Sequence, residues 1–204
     1  MNKELYQKME HSDFSKYGSW MIWNSEKYHD IAIIKDSVKA LNTGYVFIAL
    51  NSAIDLDDEK LSKYYPSGKK EPWQHFHSPP RKGRKEKILH DVFNDSAYRG
   101  SYITDLLKGF INENSPNARE EAKERLMSEV HKKDAQAIMD EFSILEEDKK
   151  IKNVFIFGED ALWYWEKLLN RKLVFDKYEY KLITHFSHRQ FKQRIYNELP
   201  NLLL

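Results

Sequence analysis

The chain has 204 residues, of which 41% are hydrophobic and 14% aromatic, so it is long enough for one domain with a sizeable core. Charged residues make up 32%, but the net charge is only +1, which excludes a globally basic nucleic-acid coat and leaves room for a local basic patch. Because cysteine is absent, the sequence excludes disulfides, thiolate zinc sites, cysteine-ligated iron–sulfur clusters and a cysteine nucleophile.

The N-terminal part, residues 1–44, is predicted to be mainly helical. MNKELYQKME is typical of a short polar helix, KYGSWMIWN of an aromatic-rich turn, and the spacing of apolar residues predicts an amphipathic helix from Glu26 to Leu41. The stretch lacks the apolar segment of a signal peptide, and no later apolar run approaches the roughly 20 residues that span a bilayer. We therefore expect a soluble, cytoplasmic, monomeric protein without a membrane partner, formed by one domain over residues 1–204.

Four short apolar runs have the length of strands. Unbroken runs of this kind are typical of strands that are buried on both faces. Helical patterns separate the runs, so the order predicts an α/β fold, a three-layer α/β/α arrangement with a central, mainly parallel four-stranded sheet. The predicted core strands are Tyr45–Leu50, Ser101–Thr104, Asn153–Phe157 and Tyr180–Thr184.

Polar residues follow each predicted strand. Right-handed crossovers place the carboxyl ends of parallel strands at one edge of the sheet, which is where open α/β sheets bind their ligands. The sequence therefore predicts one cleft that collects Asn51, Asp105 and His185, although these residues are far apart in the chain.

Residues 55–84 are predicted to form an inserted loop with a basic character. The range Ser67–Lys87 carries seven Lys or Arg against two Glu, interleaved with aromatic residues. This composition suits a surface that tracks phosphates and stacks bases. We predict that Lys82, Arg84 and Lys85 contact phosphates and that Trp73 and Phe76 stack on a base. The alternative is a flexible basic loop without a specific ligand.

A metal site is a second interpretation of the same loop. His75 and His77, at i and i+2, could ligate a metal together with His185 if they lay on a strand, and the protein would then be a metal-dependent nuclease or hydrolase. The chain has no second carboxylate-rich motif to complete such a site. We therefore predict neither a metal nor another cofactor.

The order of four motifs resembles the uracil-DNA glycosylase superfamily from about Tyr45 to the C-terminus. That family has a strand ending in Gly-x-Asn/Asp-Pro, a strand ending in a base-reading Asn, a strand–Gly–helix unit and a strand ending in His-Pro-Ser. The matching stretches here are ALNS (49–52), YITD (102–105), NVFIFGEDALWYW (153–165) and THFS (184–187). The chain departs from the family pattern at Ala49, Ser52, Asp105 and Phe186.

The resemblance implies a monofunctional DNA glycosylase of DNA repair. Such an enzyme flips a damaged or mismatched base of the uracil type and hydrolyses its N-glycosidic bond without a metal. Asn51 would hold the attacking water, and His185 would donate a hydrogen bond to the departing base. Asp105 and Ser52 would contact the base.

The segment after the last strand is implied to contact DNA. Ser187 would bind a phosphate through its hydroxyl or backbone N–H, and His188 and Arg189 would lie in a wedge that enters the duplex.

Plainer interpretations of the same residues stay open. Asn51 could turn its own backbone, Asp105 could cap a helix beginning at Leu106, and Arg189 could be a solvated charge. The alternative for the whole chain is a catalytically degenerate glycosylase-fold module that binds DNA or a protein partner.

Overall fold

The computed structural model describes residues 1–27, 30–51, 71–77, 86–110, 115–199 and 202. Its helices are α1 (Lys3–Glu10), α2 (Phe14–Tyr17), α3 (Ala32–Asp36), α4 (Glu86–Phe93), α5 (Ser115–Met127), α6 (Val130–Leu145), α7 (Glu159–Asn170) and α8 (Phe191–Glu198), with a 3-10 turn at Val38–Ala40. Its strands are β1 (Gly18–Trp20), β2 (Asn42–Ala49), β3 (Ser101–Asp105), β4 (Asn153–Phe157) and β5 (Glu179–Ile183). Among the helices of these ranges, none is long and apolar enough to cross a membrane.

The described strands form one mixed sheet in the order β1-β3-β2-β4-β5. The four predicted strands pair in parallel, with Ile48 of β2 beside Thr104 of β3 and Ile156 of β4. This confirms the α/β class, but the prediction of four strands is wrong, because β1 adds an antiparallel fifth strand beside β3. Three residues are too few to show a periodicity, so β1 could not be recognised as a strand from the sequence.

The sheet is covered by apolar residues on both faces, because side chains alternate along each strand. Val46 and Ile48 of β2 belong to a core cluster that contains residues of α1, α5, α6 and α7. Phe47 and Ala49 belong to a second cluster with residues of α4 and α8. We call the side of the second cluster the α4/α8 face.

Two local predictions are wrong. The helix expected over Glu26–Leu41 is reduced to α3 and the 3-10 turn, because Asp30 Oδ1 accepts the backbone N–H of Ala32 and the helix begins only there. β5 was expected to be buried on both faces, but it is an edge strand on which only Ile183 is buried.

β4 has the predicted bounds, Asn153–Phe157, and a helix follows it directly after Gly158, as the strand–Gly–helix motif predicts. Gly158 joins the two elements with φ +84, in the left-handed region where a residue with a Cβ is strained. Glu159 and Asp160 lie in the first turn of α7 and Lys167 in its last turn, which suits the helix dipole. This sharp strand-to-helix junction lies beside the end of β5 and helps to form the candidate site.

Candidate functional site

Asn51, Asp105 and His185 lie at the carboxyl edge of the sheet. Asp105 ends β3, Asn51 follows β2 by two residues, and His185 follows β5 by two residues. The backbone N–H groups of Leu106 and Leu107 donate to the carbonyls of Ala49 and Leu50, at 2.9 and 2.8 Å, and so hold the ends of β2 and β3 together.

Asp105, the last residue of β3, lies on the α4/α8 face by the two-residue period of a strand, because Ile103 belongs to the cluster on that face. Ala49 and Ile183, the last residues of β2 and β5, belong to the same cluster, and Asn51 and His185 follow them by two residues. The sheet therefore brings the backbones of the three predicted residues to one edge. Their joint contact with a substrate stays a prediction.

The imidazole of His185 is held in one tautomer by Ser187. The backbone N–H of Ser187 donates to His185 Nδ1 at 3.1 Å, so this nitrogen acts as an acceptor and carries no proton. The Ser187 hydroxyl lies 2.7 Å from the same nitrogen and donates to it as well. The proton of the neutral ring is therefore on Nε2, the nitrogen turned away from Ser187.

The surroundings keep this ring neutral. Burial lowers the pKa of His185 to about 4, although the negative charges of Asp105 and Asp160 act in the opposite direction. Phe186 stacks on the imidazole with ring centroids 4.3 Å apart, and Phe157 meets it edge-on at 6.4 Å. At neutral pH, His185 is thus an uncharged ring with a fixed N–H donor.

Two contacts fix the backbone around His185. Glu198 of α8 accepts hydrogen bonds from Thr184, at 2.6 Å from the backbone N–H and 2.5 Å from the hydroxyl. A Cβ at Gly158 would lie 3.2 Å from the Cβ of His185, so the glycine leaves room for the histidine to approach β4. Helix α8 and the β4–α7 junction therefore position the ring from two sides.

Asp105 is buried, with 2% of its surface exposed, and it pairs with an equally buried histidine. His75 Nε2 donates to Asp105 Oδ2 at 2.5 Å. The other carboxylate oxygen, Oδ1, has no hydrogen-bond partner within the described ranges. The interpretation of Asp105 as a helix N-cap is wrong, because residues 106–110 form a turn and not a helix.

The segment 71–77 carries His75 and is anchored to the N-terminal part of the chain. Trp73 donates its backbone N–H to Ser15 at 2.9 Å, and its carbonyl accepts from the Ser19 hydroxyl at 2.6 Å. His77 Nε2 donates to the Ile22 carbonyl at 2.9 Å, and burial lowers the pKa of this histidine. The segment is therefore part of the folded core.

The aromatic residues predicted to stack on a base are both buried. Trp73 has no exposed surface and packs against Trp20 in the core, so its placement favours packing over base stacking. Phe76 is 7% exposed and lies on the α4/α8 face, with its ring 4.5 Å from that of His75. Both have left-handed backbones, with φ 66 at Trp73 and 64 at Phe76, which is uncommon for bulky residues.

The predicted DNA contacts after β5 are exposed, but Ser187 is already engaged. Both of its donors, the hydroxyl and the backbone N–H, point at His185 Nδ1, so the structure gives it the role of a positioning residue. His188 and Arg189 are exposed beside the site, and His188 Nδ1 accepts the backbone N–H of Gln190 just before α8. Ser52, Lys82, Arg84 and Lys85 lie outside the described residues, as does the rest of 55–84 apart from 71–77.

His75 and His77 bind different partners. The first bonds to Asp105 and the second to a backbone carbonyl, which is not the arrangement of two ligands to one ion. Over the residues that the structure describes, no group of three His, Asp or Glu side chains is suited to hold a metal.

Sequence reasoning missed the roles of Glu198 and Asp160. Glu198 is one of many charged residues in a helical pattern, and only the fold shows that it reaches Thr184. Asp160 follows the Gly158 junction, and this motif could have indicated that a carboxylate lies near the edge. Comparison with family models, curated proteins and solved structures finds no match to this chain. The relation to the uracil-DNA glycosylase superfamily stays a prediction that rests on the order of its motifs.

Proposed function

We propose that the protein is a DNA glycosylase-like enzyme that flips a damaged or mismatched base and hydrolyses its N-glycosidic bond without a metal. The observation that carries this proposal is the state of His185. It is a neutral imidazole at the carboxyl edge of an α/β sheet, with Nδ1 occupied by Ser187 and the proton on Nε2. A fixed neutral donor of this kind stabilises negative charge that develops on a leaving group.

The reaction needs only side chains whose backbones lie at this edge. A water attacks C1′ of the deoxyribose, the bond between C1′ and the base nitrogen breaks, and the base leaves with the electron pair. His185 Nε2–H donates to the departing base, Asn51 holds the water, and the proton of the water passes to solvent or to the base. Since Asn51 cannot remove a proton, most of the acceleration has to come from stabilising the leaving base.

DNA would reach the site along the exposed segment that follows β5. His188 and Arg189 lie next to His185 and are exposed, so they are available to a phosphate or to the gap left by a flipped base. Phosphate contacts by Lys82, Arg84 and Lys85 are part of the same proposal. We propose DNA as the partner and the cytoplasm as the compartment.

The test is an alkaline-cleavage assay on oligonucleotides that carry uracil, hypoxanthine, xanthine or mismatches, with and without EDTA. We expect abasic sites and no effect of EDTA. His185→Ala should lower single-turnover excision roughly a hundred- to a thousandfold and leave DNA affinity nearly unchanged, because the donor acts in the transition state. His188→Ala is the matched control, which should weaken binding and spare the chemical step. If wild-type protein leaves every base in place, this function is wrong.

The burial of Asp105 and its bond to His75 support a second candidate, a glycosylase-fold module that binds DNA or a protein without cutting. In this reading, the residues of the edge have become part of the packing. The module would bind DNA, or a protein partner in its place, and would form no abasic sites. The same assay therefore separates the two candidates when it is combined with a binding measurement on the same oligonucleotides.

A further inference from the structure

Asp105 Oδ1 is a buried acceptor without a hydrogen bond in the part of the chain that the structure describes. A buried polar atom of this kind is rare, and leaving it unpaired destabilises the fold. Its neighbour Oδ2, in contrast, is satisfied by His75 at 2.5 Å. The carboxylate is thus fixed by one oxygen and open to a donor at the other.

The position of this oxygen connects it to the edge where we place the base. Asp105 ends β3 on the α4/α8 face, and its charge acts on the imidazole of His185. The charge of Asp160 also acts on this imidazole, but Asp160 is paired with Arg119, so Asp105 is the carboxylate that matters most for a bound base. Negative charge around the edge repels carbonyl oxygens and favours N–H donors.

We propose, on the basis of the function given above, that Asp105 Oδ1 accepts a hydrogen bond from the amino group of the flipped base. The substrate class is then a base with an exocyclic amine, such as cytosine or adenine, and not one with a carbonyl at that position, such as uracil or hypoxanthine. His75 is the positioning residue, since its N–H fixes which carboxylate oxygen is left for the base. Because this oxygen has no hydrogen bond within the described residues, an amino group that reaches it supplies the bond that it lacks.

The bond from His75 predicts what Asp105→Asn does. An amide has one acceptor oxygen and one donor nitrogen, and His75 Nε2–H selects the oxygen. The amide NH2 then takes the place of Oδ1 and presents a donor to the base. The variant should therefore exchange the preference, from bases with an amine to bases with a carbonyl.

The experiment compares two pairs of bases that differ at one position, cytosine with uracil and adenine with hypoxanthine. Each base is placed opposite a tetrahydrofuran abasic residue. The two bases of a pair then face the same group in the opposite strand, and neither is held by a Watson–Crick partner. Excision is measured in single turnover, and affinity is measured by anisotropy on 2′-fluoroarabino nucleotides, which resist loss of the base. We expect the wild type to prefer the amine by about 10- to 100-fold and Asp105→Asn to reverse the preference.

A double variant isolates the part played by His75. In Asp105→Asn with His75→Phe, the amide is free to present either end, so the preference should fall to within a few-fold of unity. A melting curve for each variant establishes that it is folded before it is assayed.

The two proposals fail in different ways. Excision that favours uracil and hypoxanthine in the wild type, or a preference that Asp105→Asn leaves unchanged, overturns the role of Asp105 while the glycosylase function stands. Absence of excision overturns the glycosylase function. In that case the affinities for the uncleavable oligonucleotides still test whether Asp105 selects bases with an exocyclic amine. Equal affinity for both members of each pair, or no binding, overturns the role of Asp105.

Discussion

The hydroxyl of Ser187 lies 2.7 Å from Nδ1 of His185, and the backbone N–H of the same serine reaches that nitrogen at 3.1 Å. Two donors thus converge on one lone pair, and a proton on Nδ1 would meet the backbone N–H, which cannot turn away. The pair therefore explains how a histidine two residues after an edge strand keeps a single tautomer.

Ser187→Ala should raise the pKa of His185 above its value of about 4, because the substitution removes a donor that stabilises the unprotonated Nδ1. The measurement is an NMR titration of the histidine ring nitrogens, which also reports the tautomer. Ser143→Ala, at an exposed serine of α6, is the control and should leave the titration unchanged. An unaltered pKa in Ser187→Ala would show that the Ser187 hydroxyl is not needed to hold the ring neutral.

Glu198→Ala should destabilise the protein by about 1.5–3 kcal/mol, since Thr184 loses two hydrogen bonds to a charged acceptor. Chemical denaturation measures this change in the free energy of unfolding. Glu198→Gln keeps an oxygen acceptor and should lose less. The ring signals of His185 should also broaden or shift in Glu198→Ala; a stability loss without that change would limit Glu198 to a structural role.

Gly158→Ala and Gly109→Ala form a matched pair. Both glycines have left-handed backbones, with φ +84 and +74, so each alanine should destabilise the fold by about 1 kcal/mol or more. Only at position 158 does the added Cβ press on His185, at 3.2 Å, while at position 109 the nearest atom is Tyr17 Oη at 3.6 Å. Excision and the His185 titration should therefore change in Gly158→Ala alone. Equal effects of the two variants on His185 would contradict the proposed contact.

The free energy of unfolding should fall as the pH is lowered from about 6.5 to about 4. The pKa of His185 is about 4 in the folded protein, whereas an unfolded histidine has a pKa near 6.5, so the unfolded chain binds more protons in this window. We expect the contribution of His185 to be about 1–2 kcal/mol, after allowance for its partial exposure to solvent. Urea unfolding of the wild type and His185→Gln at pH 7 and pH 4.5 measures it. The wild type should lose more stability than the variant over this range, and equal losses would contradict the lowered pKa.

The central strands and the β4–α7 junction could be predicted from the sequence, because an unbroken apolar run followed by Gly158 and a helical period leaves few alternatives. β1 could not be predicted, since Gly18–Trp20 becomes a strand only through its pairing with β3. The site shows the same division. The position of Asn51, Asp105 and His185 at the carboxyl edge could be predicted from the ends of the strands, whereas the bond between His75 and Asp105 depends on how segment 71–77 folds against the N-terminal residues.

β5 is one of the two edge strands and the last of the described strands, and this has a consequence for protein synthesis. The ribosome delivers Asn51 and Asp105 before His185, which lies about 80 residues after Asp105. A nascent chain can build the centre of the sheet early, but Phe191 and Ile195 of α8 are not yet present to cover the α4/α8 face. The chain therefore gains His185, the donor of the proposed reaction, and α8, which covers the α4/α8 face, at the same stage of synthesis. A product that ends before β5 would have neither.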